Sequence, residues 1–321
     1  MTSAQHLAPS VGALLRGWRE RRRLSQLDLA LQAAVSTRHL SFVETGRSRP
    51  SREMVLRLAA ELDVPLRERN HLLLAAGYAP AYAETALAAP EMAAVRAAVR
   101  QVLAGHEPYP AVVVDRHWNL VEANASVALF TEGLPPPLLA PPINVLRASL
   151  HPDGFARQIV NLGEWRAHML GRLRRQVARV ADPALAALYD ELRGYPGGAA
   201  EPEGELPGGG DLVVPLRVRV DGRALSFFGT VATFGTPLDV TVAELAIESF
   251  YPADAATAAL LRARAEVAAA AGLTPGGGRG TGGRRRGRPR PPGRGRTRSP
   301  ASSVETSRWP RPRRCRRPTG D

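Results

Sequence analysis

Two short helical patterns follow one another almost without a gap in residues 24–52, and this stretch constrains the fold more than any other. Ser25, followed three residues later by Asp28, predicts a capped helix start, because each side chain can accept a hydrogen bond from the other residue's backbone N–H. Ser36 predicts the start of a second helix immediately after a tight turn. Gly46 predicts where that helix ends, since glycine readily adopts the left-handed conformation that stops a helix.

The second of these helices has a polar outer face. Leu40 and Val43, three residues apart, predict its buried side. The other face carries small polar and basic side chains, namely Thr37, Arg38, His39 and Ser41. An α-helix fits the major groove of DNA, and short polar side chains reach base edges there. A short helix that is held by a preceding helix and carries such a face predicts a DNA-binding helix-turn-helix. A helical bundle with a solvated face is the less favoured interpretation.

The distribution of charge supports this interpretation. The 43 basic residues are all arginine and exceed the 30 acidic residues by 13. Residues 275–321 hold 15 arginines and 2 acids (+13), and residues 1–78 hold 12 arginines and 7 acids (+5). The 16 arginines and 21 acids that remain give residues 79–274 a net charge of −5. The basic N-terminal part suits phosphate binding, whereas the acidic middle part does not.

Four segments are predicted from patterning. Residues 1–78 form an all-α domain of five helices, residues 79–90 a linker, and residues 91–271 an α+β domain with a mostly antiparallel sheet. Residues 272–321 are rich in Gly, Pro and Arg and form a disordered C-terminal tail, because such a segment buries too little apolar surface to order itself.

The strands of the second domain are predicted from strand-like runs of residues. Such runs occur at 111–115, 117–123, 211–220, 223–234 and 238–250, with several helical patterns between the second and the third. An Asp-Gly pair at 221 and 222 separates the third and fourth runs, and this is the strongest short signal for a β-hairpin. Strands at both ends with helices between them indicate an α+β arrangement.

Several kinds of protein are disfavoured. The single cysteine, Cys315, excludes an internal disulfide framework and a thiolate zinc site. The seven histidines lack the spacing of metal ligands, no Gly-x-Ser-x-Gly motif occurs, and no catalytic residue is predicted. No signal peptide and no apolar run long enough to span a membrane is seen. We therefore expect a cytoplasmic protein that is not an enzyme and needs neither a metal nor a membrane.

A long helical pattern from Glu164 to Val180 provides candidate ligand contacts. An apolar stripe follows it, and Arg166 and His168 flank the first half of that stripe. A core helix is the simplest interpretation; the alternative is the wall of a pocket for an apolar ligand with an acidic group. In the hairpin, Phe228 and Phe234 are an even number of residues apart and share a face, opposite Phe227. The candidate ligand-binding residues are Trp165, Arg166, His168, Met169, Phe227, Phe228 and Phe234.

Residues 9–64 resemble the XRE-type helix-turn-helix regulators in their Leu-Ser-Gln start, Val-Ser turn and Glu-x-Gly close. The segments STRHLSFVETGRSRPSREMVLRLA, LHPDGFARQIVNLGEW and SFFGTVATFGTPLDVTVAELAIESFYPAD resemble the MmyB-like regulators of this type and extend the similarity to about residue 265. In that family a PAS-like domain that binds a small apolar ligand follows the helix-turn-helix. The tail from about residue 266 does not match.

The resemblance implies roles for individual residues. It gives Gln26 a phosphate contact, and it places Thr37, Arg38 and Ser41 on the base-reading face, with His39 beside them. It also gives DNA-backbone contacts to Arg47, Arg49 and Ser51, whereas Phe42 departs from the polar residue usual at its position.

The expected protein is a homodimeric transcription regulator. It binds a double-stranded DNA operator and a small apolar, fatty-acid-like ligand, without another cofactor. Two alternatives remain open at this point: a second domain that serves protein interaction or dimerisation without a ligand, and an enzyme fused to an autoregulatory helix-turn-helix.

Overall fold

Five helices form the first domain, as predicted. The computed structural model describes residues 9–180, 182–196 and 213–270. The helices are α1 (Val11–Arg21), α2 (Gln26–Gln32), α3 (Thr37–Glu44), α4 (Arg52–Glu61) and α5 (Leu66–Ala75). Their shared core contains side chains with almost no exposed surface, among them Leu15, Leu29, Leu40, Leu58 and Leu73.

Serine caps set the boundaries of these helices. Ser25 and Asp28 form the predicted reciprocal capping pair at the start of α2. The Ser36 hydroxyl accepts a hydrogen bond from the backbone N–H of His39 at the start of α3. Gly46 has a φ of 75°, which confirms the left-handed conformation predicted after α3. The sequence pattern of the helix-turn-helix is therefore confirmed at both ends of α3.

The second domain combines seven helices with five strands among the described residues. The helices are α6 (Ala93–Gly105), α7 (Ala128–Thr131), α8 (Val145–Leu150), α9 (Leu162–Val180), α10 (Pro183–Arg193), α11 (Val240–Ala243) and α12 (Ala255–Ala270). The strands are β1 (Ala111–Val114), β2 (Leu120–Ala123), β3 (Leu216–Val220), β4 (Arg223–Thr233) and β5 (Ala246–Pro252). They form one sheet in the order β2-β1-β5-β4-β3, and each neighbouring pair is antiparallel. The predicted PAS-like α+β class is confirmed.

Helices cover both faces of this sheet. On one face, α8, α9 and α10 enclose the larger core, which includes Leu146, Leu173 and Phe227. On the other face, α6 packs its Val99 and Leu103 against β1 and β5 in a smaller core. This layering leaves the first face as the place where a cavity can form between the sheet and the helices.

The structure confirms the predicted hairpin but only part of the last predicted strand. Asp221 and Gly222 both have positive φ, 49° and 74°, and join paired strands β3 and β4, as predicted. The strand predicted over 238–250 is wrong in its first half, because that part forms α11 and only the second half forms β5. The carboxylate of Asp239 accepts a hydrogen bond from the backbone N–H of Thr241 at 2.8 Å and thereby caps α11.

The strand predicted over 117–123 begins later than expected. Asp115 accepts hydrogen bonds from the backbone N–H groups of His117 and Asn119, each at 2.8 Å, and so closes a turn. Trp118 lies within that turn at a φ of 67°, and β2 begins only at Leu120.

The segment predicted as a linker, 79–90, is held at several points. Asn70 of α5 accepts hydrogen bonds from the backbone N–H groups of Ala81 and Tyr82 and donates one to the carbonyl of Tyr82. The backbone N–H of Thr85 donates to Asp239 at 3.0 Å. The two domains are therefore connected by side-chain contacts as well as by the chain. The tail predicted over 272–321 lies outside the described residues.

Candidate DNA-binding surface and ligand cavity

The outer face of α3 presents polar side chains to solvent. Leu40 and Val43 are each 1% exposed and fix the inner face of the helix. Arg38 is exposed, and its guanidinium carbon lies 5.4 Å from the centroid of the Phe42 ring. Thr37, His39 and Ser41 are half-buried. This surface can enter a major groove, and its longest polar side chain rests partly against an aromatic ring.

A buried ion pair that the sequence analysis missed fixes Gln26 beside this surface. Arg19 donates from Nε and Nη2 to the two carboxylate oxygens of Glu44 at 2.7 and 2.8 Å. The amide Nε2 of Gln26 donates to the same carboxylate at 2.8 Å. The hydrogen bond with Glu44 raises the pKa of Arg19. The start of α2 and the end of α3 are thus joined through one carboxylate, which orients the Gln26 side chain.

The residues predicted to contact the DNA backbone differ in their surroundings. Arg47 is exposed just after α3. Arg49 instead donates from Nε and Nη2 to the carbonyl of Ala76 at 3.1 and 2.7 Å, and its guanidinium faces the ring of Tyr78. Ser51 is exposed and caps α4 by accepting a hydrogen bond from the backbone N–H of Met54. Arg49 is also exposed, but its two hydrogen bonds to the Ala76 carbonyl hold its guanidinium against the domain.

A cavity of about 520 Å³ lies between the sheet and the helices of the second domain. Most of its wall is apolar and comes from all five strands, from α7, α8 and α9, and from the loops between them. Prominent apolar lining residues are Phe130, Leu134, Leu146, Phe155, Met169 and Phe250. Three phenylalanines meet there, since Phe130 lies 5.0 Å from Phe155 and 5.2 Å from Phe250 between ring centroids. The size and the lining suit a small apolar molecule.

One region of the cavity wall is polar, and we call Trp118, His168, Arg172 and Glu248 the polar corner. Arg172 forms two hydrogen bonds with the carboxylate of Glu248, one of them at 2.9 Å from Nη1 to Oε2. The guanidinium carbon of Arg172 lies 4.7 Å from the centroid of the Trp118 ring. Burial, followed by the positive charge of Arg172, lowers the pKa of His168. The corner thus offers one neutralised cation and an imidazole that favours its neutral form.

The structure brings some predicted ligand-binding residues together and separates others. Trp165, His168 and Met169 line the cavity. Arg166 does not, because its Nη2 donates to the carbonyls of Leu192 and Arg193 at the end of α10. Arg172 lines the cavity in its place. It lies four residues after His168, one helical turn further along α9, so the spacing of neighbours on a helix leads from His168 to Arg172.

None of the three predicted phenylalanines lines the cavity. Phe227 is fully buried in the core beside it. Phe228 stacks on Tyr251 at 5.3 Å, and Phe234 packs with the core on the α6 side of the sheet. The predicted alternation of these three residues is correct. However, β4 contributes Gly229 and Val231 to the cavity wall instead.

Two further features concern metals and membranes. Among residues 9–180, 182–196 and 213–270, no group of three or more His, Cys, Asp or Glu side chains could hold a metal ion. Within the same residues, no helix is long and apolar enough to cross a membrane.

Comparison with known proteins gives matches for both domains. Residues 95–263, more than half of the chain, match the family model of the MmyB-like transcription regulator ligand binding domain. Residues 10–72 match a model of a helix-turn-helix domain. No curated protein matches the chain. A solved structure described as an RNA-binding Light-Oxygen-Voltage receptor aligns over 82% of this chain at 13% identity, with a TM-score of 0.22. The chain spans 62% of the length of that receptor, and the likeness supports no inference about function.

Proposed function

Because the chain belongs to the family of MmyB-like transcription regulators, we propose that it binds a DNA operator as a cytoplasmic homodimer and that a small apolar, acidic ligand controls this binding. The observation that carries the proposal is the cavity of about 520 Å³ in the domain that matches the ligand-binding model. The proposal assigns no metal, no other cofactor and no catalytic step to the chain.

The DNA contacts follow from the exposed face of α3. Arg38, Thr37 and Ser41 would read base edges, since they project from the side opposite Leu40 and Val43. Arg47 would contact a phosphate, and Gln26, which is oriented by Glu44, would contact another. Base contacts specify the operator, whereas phosphate contacts position the domain on it.

The ligand would gain most of its affinity from burial against the apolar wall. Each square ångström of apolar surface that leaves water contributes roughly 25 cal/mol. Its acidic group would lie at the polar corner, where Arg172 and His168 can donate hydrogen bonds. Because Glu248 already neutralises Arg172, the acidic group competes with that carboxylate and adds less than it would at an unpaired arginine.

A homodimer is proposed on geometric grounds. One helix-turn-helix of this size offers little interface for tight, specific binding, and paired modules bind palindromic half-sites about one helical turn apart. Mass photometry of the protein alone and with its operator tests this part. Monomers on a single half-site would contradict it.

The DNA-binding part is tested by affinity capture of genomic fragments on the full chain. We expect one enriched sequence with two-fold symmetry. A set of fragments without a shared sequence would contradict operator recognition.

The ligand is tested by mass spectrometry of the denatured protein and by titration with dodecanoic acid and 1-dodecanol, which have the same chain length and different head groups. We expect both to bind, with the acid changing operator affinity. Ala148→Trp, which places an indole in the cavity, should abolish binding, whereas Ala187→Trp on the exposed side of α10 should not. Equal binding by both variants would contradict a ligand in this cavity.

A further inference from the structure

A charged contact joins the DNA-binding domain to the segment between α11 and β5 of the second domain. Arg67 on α5 donates from Nε and Nη2 to the two carboxylate oxygens of Glu244, at 2.8 and 2.9 Å. Its guanidinium also pairs with Glu84 at 2.5 Å. The side chains of Arg67 and Glu244 are each 20% exposed, so this pair is shielded from solvent more than most surface ion pairs. Glu244 lies directly after α11 and just before β5.

Glu244 has a second cationic neighbour on the other side of this contact. Nη1 of Arg116, in the turn between β1 and β2, lies 3.6 Å from Oε1 of Glu244. The same arginine pairs through Nη2 with Asp182 at 2.9 Å. Asp182 also caps α10 and bonds to Nε2 of His117 at 3.0 Å. One carboxylate, that of Glu244, is therefore shared between an arginine of the first domain and an arginine of the second.

Two short routes, made of hydrogen bonds and a few backbone residues, connect this shared carboxylate to the polar corner. Gln176 donates to the backbone carbonyl of Arg116 and accepts from Nε1 of Trp118, both at 2.8 Å. Trp118 lines the cavity, stacks on Arg172 and lies two residues from Arg116. In β5, Glu248 binds Arg172 and lies four residues after Glu244. A group that moves Trp118 therefore acts on Arg116 through this turn. A group that moves Arg172 acts on Glu244 itself through Glu248 and β5.

We propose that Glu244 couples the cavity to the DNA-binding domain by changing how it divides its pairing between Arg67 and Arg116. The inference rests on the proposed function, since it names the route by which an occupant of the cavity affects DNA binding. Such coupling requires an element that can adopt two arrangements. A carboxylate that is shared by two arginines is such an element, because it can pair more closely with one or with the other. An occupant can shift that balance only by binding the two arrangements with different affinity.

Hydrogen–deuterium exchange of residues 66–85 measures the docking of the first domain directly. The cavity probe is 8-anilinonaphthalene-1-sulfonate, an apolar fluorophore with an acidic group, and its binding is followed by fluorescence. In the wild-type full chain we expect the bound probe to change exchange in this segment at least about fivefold, the lower end of typical coupling. We expect the Glu244→Gln variant to bind the probe with the affinity of the wild type within about twofold. In this variant, probe binding should cause almost no change in the exchange of residues 66–85.

Glu122→Gln is the matched control, because Glu122 pairs at 2.8 Å with Arg100, a residue of the second domain itself. It should respond as the wild type does. Arg67→Gln removes the other partner and should lose the response as well; it also replaces Glu244→Gln if circular dichroism shows that variant to be unfolded. A full response in the folded Glu244 or Arg67 variant would overturn the inference.

Two other outcomes separate the inference from the function on which it rests. A probe that binds the wild type and changes operator affinity without changing exchange at 66–85 would overturn the inference and leave the proposed function standing. Failure of the probe to bind the wild type would contradict the ligand cavity of the proposed function. The coupling route, which depends on that cavity, would then be contradicted as well.

Discussion

Arg38 and Arg47 lie close together in sequence, yet they are expected to act differently on DNA. Arg38 projects from the outer face of α3, whereas Arg47 follows the helix. We expect Arg38→Ala to weaken binding to the operator by about 1–3 kcal/mol and to relax specificity at one base pair. We expect Arg47→Ala to weaken all sequences alike and to reduce the salt slope by about one unit. Titrations of operator variants at several salt concentrations measure both effects.

The two substitutions are controls for each other in those titrations. If Arg38→Ala lowered the affinity for every operator variant equally, a base-reading role for this residue would be wrong. Similarly, an unchanged salt slope in Arg47→Ala would argue against a phosphate contact.

His168 should make the stability of the second domain depend on pH. Burial and then Arg172 lower its folded pKa below the ordinary value of about 6.5. As the pH falls through that value, the unfolded chain binds a proton before the folded chain does, so the free energy of unfolding decreases until the folded pKa is passed. His168→Gln and His168→Phe should both flatten this acid-side decrease and leave the profile above about pH 7 parallel to the wild type. The midpoints of urea unfolding between pH 5 and 8 measure this dependence. If both variants lost stability toward acid pH as steeply as the wild type, the assignment of this loss to His168 would be wrong.

The candidate residues illustrate what periodicity can and cannot predict. Spacing along α9 put Trp165 and Met169 on one apolar stripe with His168 beside it, and the structure places all three on the cavity wall. The spacing could not show that Arg166 turns toward the end of α10, because those carbonyls belong to another helix. The partner of Arg172, Glu248, is 76 residues away in the chain, and nothing in a local pattern connects the two.

At the scale of whole elements, α1 crosses α3 so closely that one position requires glycine. A Cβ on Gly12 would meet the carbonyl oxygens of Val43 and Glu44, the latter at 2.8 Å. On Gly17 of the same helix, the nearest atom to an added Cβ is Nη1 of Arg21 at 3.7 Å. We expect Gly12→Ala to destabilise the first domain by about 1–3 kcal/mol through overpacking.

Gly17→Ala is the matched control in the same helix, and its effect should have the opposite sign. Alanine is favoured over glycine in a helix interior by about 0.8–1.0 kcal/mol. Denaturant unfolding of the two variants measures the difference. A Gly12→Ala protein as stable as the wild type would mean that α1 and α3 can separate without loss of packing.

The helices and strands were predicted best where interactions between residues close in sequence determine their ends. The caps of α2 and α3 and the hairpin at Asp221 and Gly222 depend on residues within three positions of each other, and all were correct. The run at 238–250 begins with the alternation of a strand, and the pattern did not reveal that the Asp239 carboxylate would satisfy the backbone of a helix there. Asp239 also bonds to Thr85 near the first domain, a contact that no local pattern predicts.

At the scale of the whole molecule, the positive charge is concentrated in residues 275–321, which carry a net +13. We expect removal of this segment to leave operator preference and thermal unfolding unchanged, because both domains of the regulator lie before it. Affinity for random-sequence DNA should fall and its salt slope should flatten, since fewer counterions are released. A neutral Gly/Ser tail of the same length is the control for chain length and should behave as the truncated protein does. Loss of operator preference on truncation would contradict this division of roles.

The tryptophans report on this regulator without any added label. The chain has four, at positions 18, 118, 165 and 309. Trp18 lies in the core of the first domain, whereas Trp118 and Trp165 line the cavity, the first against Arg172 and the second stacked on His168 at 5.8 Å. Indole emission responds to the charge and polarity beside the ring. Intrinsic ultraviolet fluorescence therefore reports on the cavity, and a stopped-flow trace of the native chain can time the arrival of an occupant against any change in DNA binding.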